Sequence, residues 1–211
     1  MRWPFNYVLR CAAIACLVCV TAVARAQAPN GPANAASHDT APKVNPADVA
    51  FMQGMIGHHA QALRMTRLVG ERTTRKDLRG LAEKIDASQR DEIGMMKRWL
   101  TDHEQPVPPD AAEHPMSMEP GMPMAMPALM PGMLTEPELS QLAAAKGAAF
   151  DRQFLTFMIR HHEGALTMVA QLFGTNGAGQ APEVFRFASD VDADQRVEIK
   201  RMKAMLRSPA K

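Results

Sequence analysis

The sequence Met-x-x-His-His occurs twice, as Met55 to His59 and as Met158 to His162. On a helix, Met55 lies three residues before His58 and four before His59, and Met65 follows His58 by two turns. These separations bring thioether and imidazole to one side of the helix. Met158, His161, His162 and Met168 repeat the arrangement. Thioethers select soft ions such as Cu(I) and Ag(I), and imidazole also suits Cu(II). The expected cargo is therefore copper, Cu(I) first, with Cu(II) or Ag(I) as further guests. A plainer account of the same residues is a set of buried histidines satisfied by hydrogen bonds to Glu or Gln.

A second group of thioethers supports the metal reading. Met116, Met118, Met122, Met124, Met126, Met130 and Met133 fall within residues 104–134, where prolines from Pro106 to Pro131 forbid a continuous helix. A Pro-rich flexible segment buries little, so core filling does not account for them. The segment reads as a multidentate arm for Cu(I) or Ag(I). A spacer that buffers oxidation is the alternative.

Other chemistries are disfavoured by what is missing. A di-iron carboxylate bundle needs Glu-x-x-His on two helices. Here Met55 and Met158 precede His58 and His161 by three, and Ile56 and Ile159 precede His59 and His162. No Ser or Cys nucleophile arrangement and no phosphate-binding glycine loop is present. No catalytic residue is expected and the chain reads as a non-enzyme. A ferritin-like metal-ion oxidase and a metal-free helical interaction module are the competing classes.

The elements that must hold these residues are helical. Aromatics are 5% of the chain and methionine is abundant, with 17 residues, as suits an all-α protein with a soft interior. Asn45-Pro46-Ala47-Asp48 predicts a helix start, and Gly70 a stop after Val69. A second helix is expected over 74–100. Thr135-x-x-Glu138 is a capping box for a third, with a break near Gly147 and an end at Phe173, and Pro182 opens a fourth that ends near Leu206. Phe51, Met55, His58, Ala62, Met65 and Val69 form an unbroken apolar stripe, repeated by Phe154, Met158, His161, Ala165, Met168 and Leu172. His58 and His161 are thus expected inside, and His59 and His162 on the flank. The partner helices carry Ile85, Gln89, Glu92, Met96 and Trp99, matched by Val191, Gln195, Glu198, Met202 and Met205. Glu92 and Glu198 are placed to orient the imidazoles. Met95, Met96, Met202 and Met205 read as core filler. The fold class is an antiparallel four-helix bundle made of two repeated hairpins.

The domain plan is a signal peptide over 1–26, a flexible export tail over 27–44, hairpin 1 over 45–103, the Pro/Met-rich linker over 104–134 and hairpin 2 over 135–207. Arg2 and Arg10, the apolar run 11–23 and Ala24-Arg25-Ala26 carry the signal-peptide reading. Cleavage removes Cys11, Cys16 and Cys19, hence any disulfide or thiolate site. Loss of Arg2, Arg10 and Arg25 leaves 21 of the 24 basic residues against 22 acidic ones, a net charge near −1. Nothing there predicts nucleic-acid binding, and no membrane association is expected after cleavage.

The pattern Asp-x-x-Phe-x-x-x-Met-Ile-x-His-His-x-x-Ala-x-x-Met, followed by Gln-x-x-Glu-Ile-x-x-Met, resembles the CopM-like copper-binding family (domain of unknown function 305). Asp48, Met55, Ile56, His58, His59, Ala62 and Met65 carry it in one half, and Asp151, Phe154, Met158, Ile159, His161, His162, Ala165 and Met168 in the other. Gln89, Glu92, Ile93, Gln195, Glu198 and Ile199 complete it. The resemblance implies a ferritin-like helical fold and periplasmic copper binding in resistance or delivery. Partners would be copper ions and a periplasmic efflux or copper-enzyme partner. One departure is Gly54 where the second half has Phe157, which is expected to loosen packing near the first site.

Overall fold

The computed structural model describes residues 44–109 and 129–208. The signal peptide, nearly all of the export tail, and Met116, Met118, Met122, Met124 and Met126 lie outside the described residues. Among the described residues there are five helices and no strand: α1 Pro46–Arg72, α2 Lys76–Asp102, α3 Glu136–Ala144, α4 Gly147–Gly174 and α5 Pro182–Arg207. None is long and apolar enough to cross a membrane.

Local chemistry explains most boundaries. The Asn45 side chain accepts from the Ala47 N–H at 2.9 Å, with Pro46 in the first turn. The capping box forms at Thr135 and Glu138. The expected break falls at Ala145–Lys146, where Gly147 takes φ +57° and starts α4. Gly70 is the exception. It stays within α1, which runs on to Arg72 and is capped at Thr73. A stopping glycine adopts a left-handed conformation, and Gly70 is not among the residues of positive φ.

The apolar interior divides into two clusters. One joins Met65 and Val69 of α1, Leu78 and Leu81 of α2, Phe154 and Met158 of α4, and Met202 of α5. The other joins Phe51 and Met55 of α1, Met96 and Leu100 of α2, Met168 and Leu172 of α4, and Val184 of α5. Each cluster thus takes opposite ends of consecutive long helices. That sets α1 antiparallel to both α2 and α4, and α4 antiparallel to α5. Helix α1 packs on α2 and α4, and α4 packs on α5. A groove lined from both sides parts α2 from α5. Met95 does not fill the core; it is 44% exposed on the rim of that groove.

Candidate metal centre

Halfway along the four long helices the core turns polar. His58 and His59 of α1, His161 and His162 of α4, Gln89 of α2 and Gln195 of α5 lie between the two apolar clusters. None is more than 3% exposed. His58 and His161 face one another with ring centroids 3.8 Å apart and planes tilted by 37°. His59 and His162 stand 6.4 and 6.3 Å from their respective neighbours.

Hydrogen bonds assign the protons. The Nε2–H of His59 donates to Oε2 of Glu92 at 2.5 Å, and that of His162 to Oε2 of Glu198 at 2.7 Å. The Nε2–H of His58 donates to the Pro131 carbonyl at 3.0 Å. Carboxylate and carbonyl oxygens only accept, so a neutral ring so held carries its bare lone pair on Nδ1. Nδ1 is buried and unpartnered in all three. Neither ring nitrogen of His161 has a well-formed hydrogen bond. Burial lowers His58 to about 3, with the adjacent His59 adding to the shift. Burial also holds His161 well below the ordinary imidazole range, reinforced by His58 and His162. Neutral imidazole is the form that ligates a metal.

Thioethers bracket this layer. Met55 and Met168 belong to one apolar cluster, and Met65 and Met158 to the other. Each cluster therefore offers one expected ligand from each repeat. Met55, Met65 and Met158 are fully buried, and Met168 is 8% exposed. Among the described residues, no three His, Cys, Asp or Glu side chains converge as they stand into a metal cage.

The end of the linker forms a strap across the layer. Gln61 brackets Leu134, its Nε2 donating to the Leu134 carbonyl at 2.9 Å and its Oε1 accepting from the Leu134 N–H at 2.7 Å. Gly132 turns the strap at φ +76°. A Cβ on Gly164 would overlap the Pro131 carbonyl, so only glycine lets strap and α4 approach this closely. Beyond the strap, Arg64 pairs with Glu136 and Arg160 with Glu138. Gln61, Gly132 and Gly164 were not singled out from the sequence. The available signal is Gly164, a mid-helix glycine with Gln61 at the matching place of the other half.

Three expectations change. His59 and His162 are not on an open flank but fully buried, because Glu92 and Glu198 supply the polar partners that make burial affordable. The histidine that meets the linker is His58. Met130 and Met133 are half-buried on the bundle rather than part of a free arm. The space left by Gly54 is not loose: the Met130 sulfur lies 3.3 Å from where a Cβ would stand, beside Met168.

The whole helical region matches the family model described as Domain of unknown function (DUF305), over residues 48–206. A DUF305 fragment from Deinococcus radiodurans is similar at 35% identity, covering 79% of this chain and 99% of that one, with a TM-score of 0.64. A DUF305 protein from Streptomyces coelicolor, described as secreted, shares 30% identity over 76% of this chain and 92% of its own, with a TM-score of 0.62. CopM in its Cu(II)-bound form shares 30% identity over 76% and 95%, with a TM-score of 0.59. CopM has also been solved in Cu(I)-bound, Ag-bound and apo forms. No curated protein matches. With its two histidine-bearing hairpins inside the matched span, the chain belongs to the DUF305 family and is CopM-like.

Proposed function

We propose that this protein is an exported, periplasmic copper-binding protein that holds Cu(I), and accepts Cu(II) or Ag(I), as cargo without turnover. The observation that carries the reading is the layer of buried imidazoles with unpartnered Nδ1 lone pairs, bracketed by thioethers of both repeats. Each buried polar group left unpaired costs about 1–3 kcal/mol. A bound ion recovers that cost, and thioether with imidazole is the donor set of a soft ion. The ligands would come from Met55, His58, His59, Met65, Met158, His161, His162 and Met168, with Met116, Met118, Met122, Met124 and Met126 as a capture arm. The copper- and silver-bound forms of CopM, at about 30% identity, support the cargo. The leader sequence and the secreted Streptomyces relative support export. Copper-efflux or copper-enzyme proteins of the same compartment would exchange the ion.

Titration with Cu(I) against a competing chelator tests the site. Met55→Leu with Met158→Leu keeps volume and removes two thioethers; His58→Ala with His161→Ala removes the facing rings. Both variants should lose affinity. Wild-type affinity in both would overturn the reading. Oxygen consumption with Fe(II) or Cu(I) should stay flat.

A further inference from the structure

The groove between α2 and α5 holds donors that copper binding leaves unused. Gln89 and Gln195 are 2% and 3% exposed, yet the amide oxygen and nitrogen of both lack a partner. Both line a cavity of about 260 Å³, together with Glu92, Asp194 and Glu198. Glu92 and Glu198 each commit Oε2 to a histidine, which leaves Oε1 for another ligand. Asp194, an exposed residue, is raised above the ordinary carboxylate range, by partial loss of solvent at the cavity first and then by the negative charges of Glu92, Glu198 and Asp190. Three carboxylates thus line one cavity. The cations of this wall, Lys84 and Arg201, are exposed side chains.

The repeat sharpens the picture. Gln89 and Glu92 of one hairpin are matched by Gln195 and Glu198 of the other, so the cavity is lined by two equivalent pairs. Asp194 is the addition, since the matching residue Ser88 is uncharged. We propose that this cavity binds a partly hydrated divalent cation of the hard, oxygen-preferring class, separate from the thioether–imidazole centre. Carboxylate and amide oxygens suit such ions and suit Cu(I) poorly. Small hard dications keep several waters and need only one or two carboxylates. That accords with the lack of a closed three-ligand cage among the described residues. The unpartnered amide oxygens then accept hydrogen bonds from the water shell or ligate the ion directly.

The test uses Mn(II) as probe on the full chain, before and after Ag(I) is added, with free Mn(II) read by electron paramagnetic resonance. One Mn(II) per chain should bind and stay bound beside Ag(I). Asp194→Asn should weaken binding about tenfold or more. Gln89→Leu with Gln195→Leu should abolish it without lowering the melting temperature of the metal-free protein, since two unpaired buried amides are removed. No uptake, which would mean that water alone fills the cavity, overturns the proposal. So does uptake that both variants leave unchanged, or release of Mn(II) on adding Ag(I).

Discussion

Gln61 and Gly164 occupy equivalent positions in the two repeats, each three residues past the first histidine, and both act on the same strap. One grips it through paired hydrogen bonds to Leu134; the other makes room for Pro131. The two matching positions thus supply two halves of one clamp over His58.

Gly164→Ala is the direct test of that clamp. Alanine in a helix interior is normally favoured over glycine by about 0.5–1 kcal/mol. Here the new Cβ meets backbone, which cannot rotate away. The expected sign is reversed, a loss of about 1–3 kcal/mol, read as a lower melting temperature. A stabilised variant would show that the strap does not bear on α4.

Gln61→Leu leaves the buried Leu134 N–H and C=O without partners. The loss should be about 1–3 kcal/mol. Because the same strap is freed, combining it with Gly164→Ala should cost less than the two losses added. Strict additivity in a double-mutant cycle would separate the two contacts.

Glu92→Gln and Glu198→Gln keep shape but remove the charge that holds His59 and His162. Each variant should fold as wild type, because the amide oxygen still accepts from Nε2–H. Each should bind Cu(I) roughly 10–100-fold more weakly in a chelator competition. Unchanged affinity would mean that these two rings do not ligate.

Acid should weaken the metal-free protein early. His58 titrates at about 3 in the fold and at 6.5 ordinarily, and His161 is shifted the same way. Between those values the unfolded chain binds protons that the folded one refuses. Stability is therefore complete above the ordinary value and falls as pH drops toward the folded one, by roughly 1 kcal/mol per pH unit for each ring. Glu138, lowered to about 2 chiefly by its hydrogen bond with Arg160, adds a loss of the same sign only below about 4.5. Thermal melts from pH 7 to 5 isolate the histidines. His58→Gln with His161→Gln should flatten the slope.

Deleting residues 115–128 should leave the melting temperature nearly unchanged, because the anchors Pro131 and Leu134 remain. Carrying the deletion through 134 should destabilise the bundle, since His58 and Gln61 then lose their partners. Equal melts for the two deletions would count against the strap.

The stripe that placed His58 and His161 inside was legible because it is a local, periodic signal. So was the Glu92 and Glu198 register, which the repeat showed twice. His59 was misread because a single stripe implies one buried face, whereas α1 packs on both α2 and α4. The strap was invisible for a different reason. Gln61 and Leu134 are 73 residues apart, and no local pattern ties a glutamine to a backbone that distant. Met130 was assigned by composition to a free arm, while the space beside Gly54 is what receives it.

Each apolar cluster draws on all four long helices, so a single hairpin owns no complete core. An isolated hairpin would have to find a second one, and a single chain turns that bimolecular encounter into an internal one. The Pro- and Met-rich linker is then also a tether that sets the effective concentration of one hairpin for the other. Cutting it between 110 and 128 should leave two fragments whose reassembly, unlike the folding of the intact chain, depends on dilution.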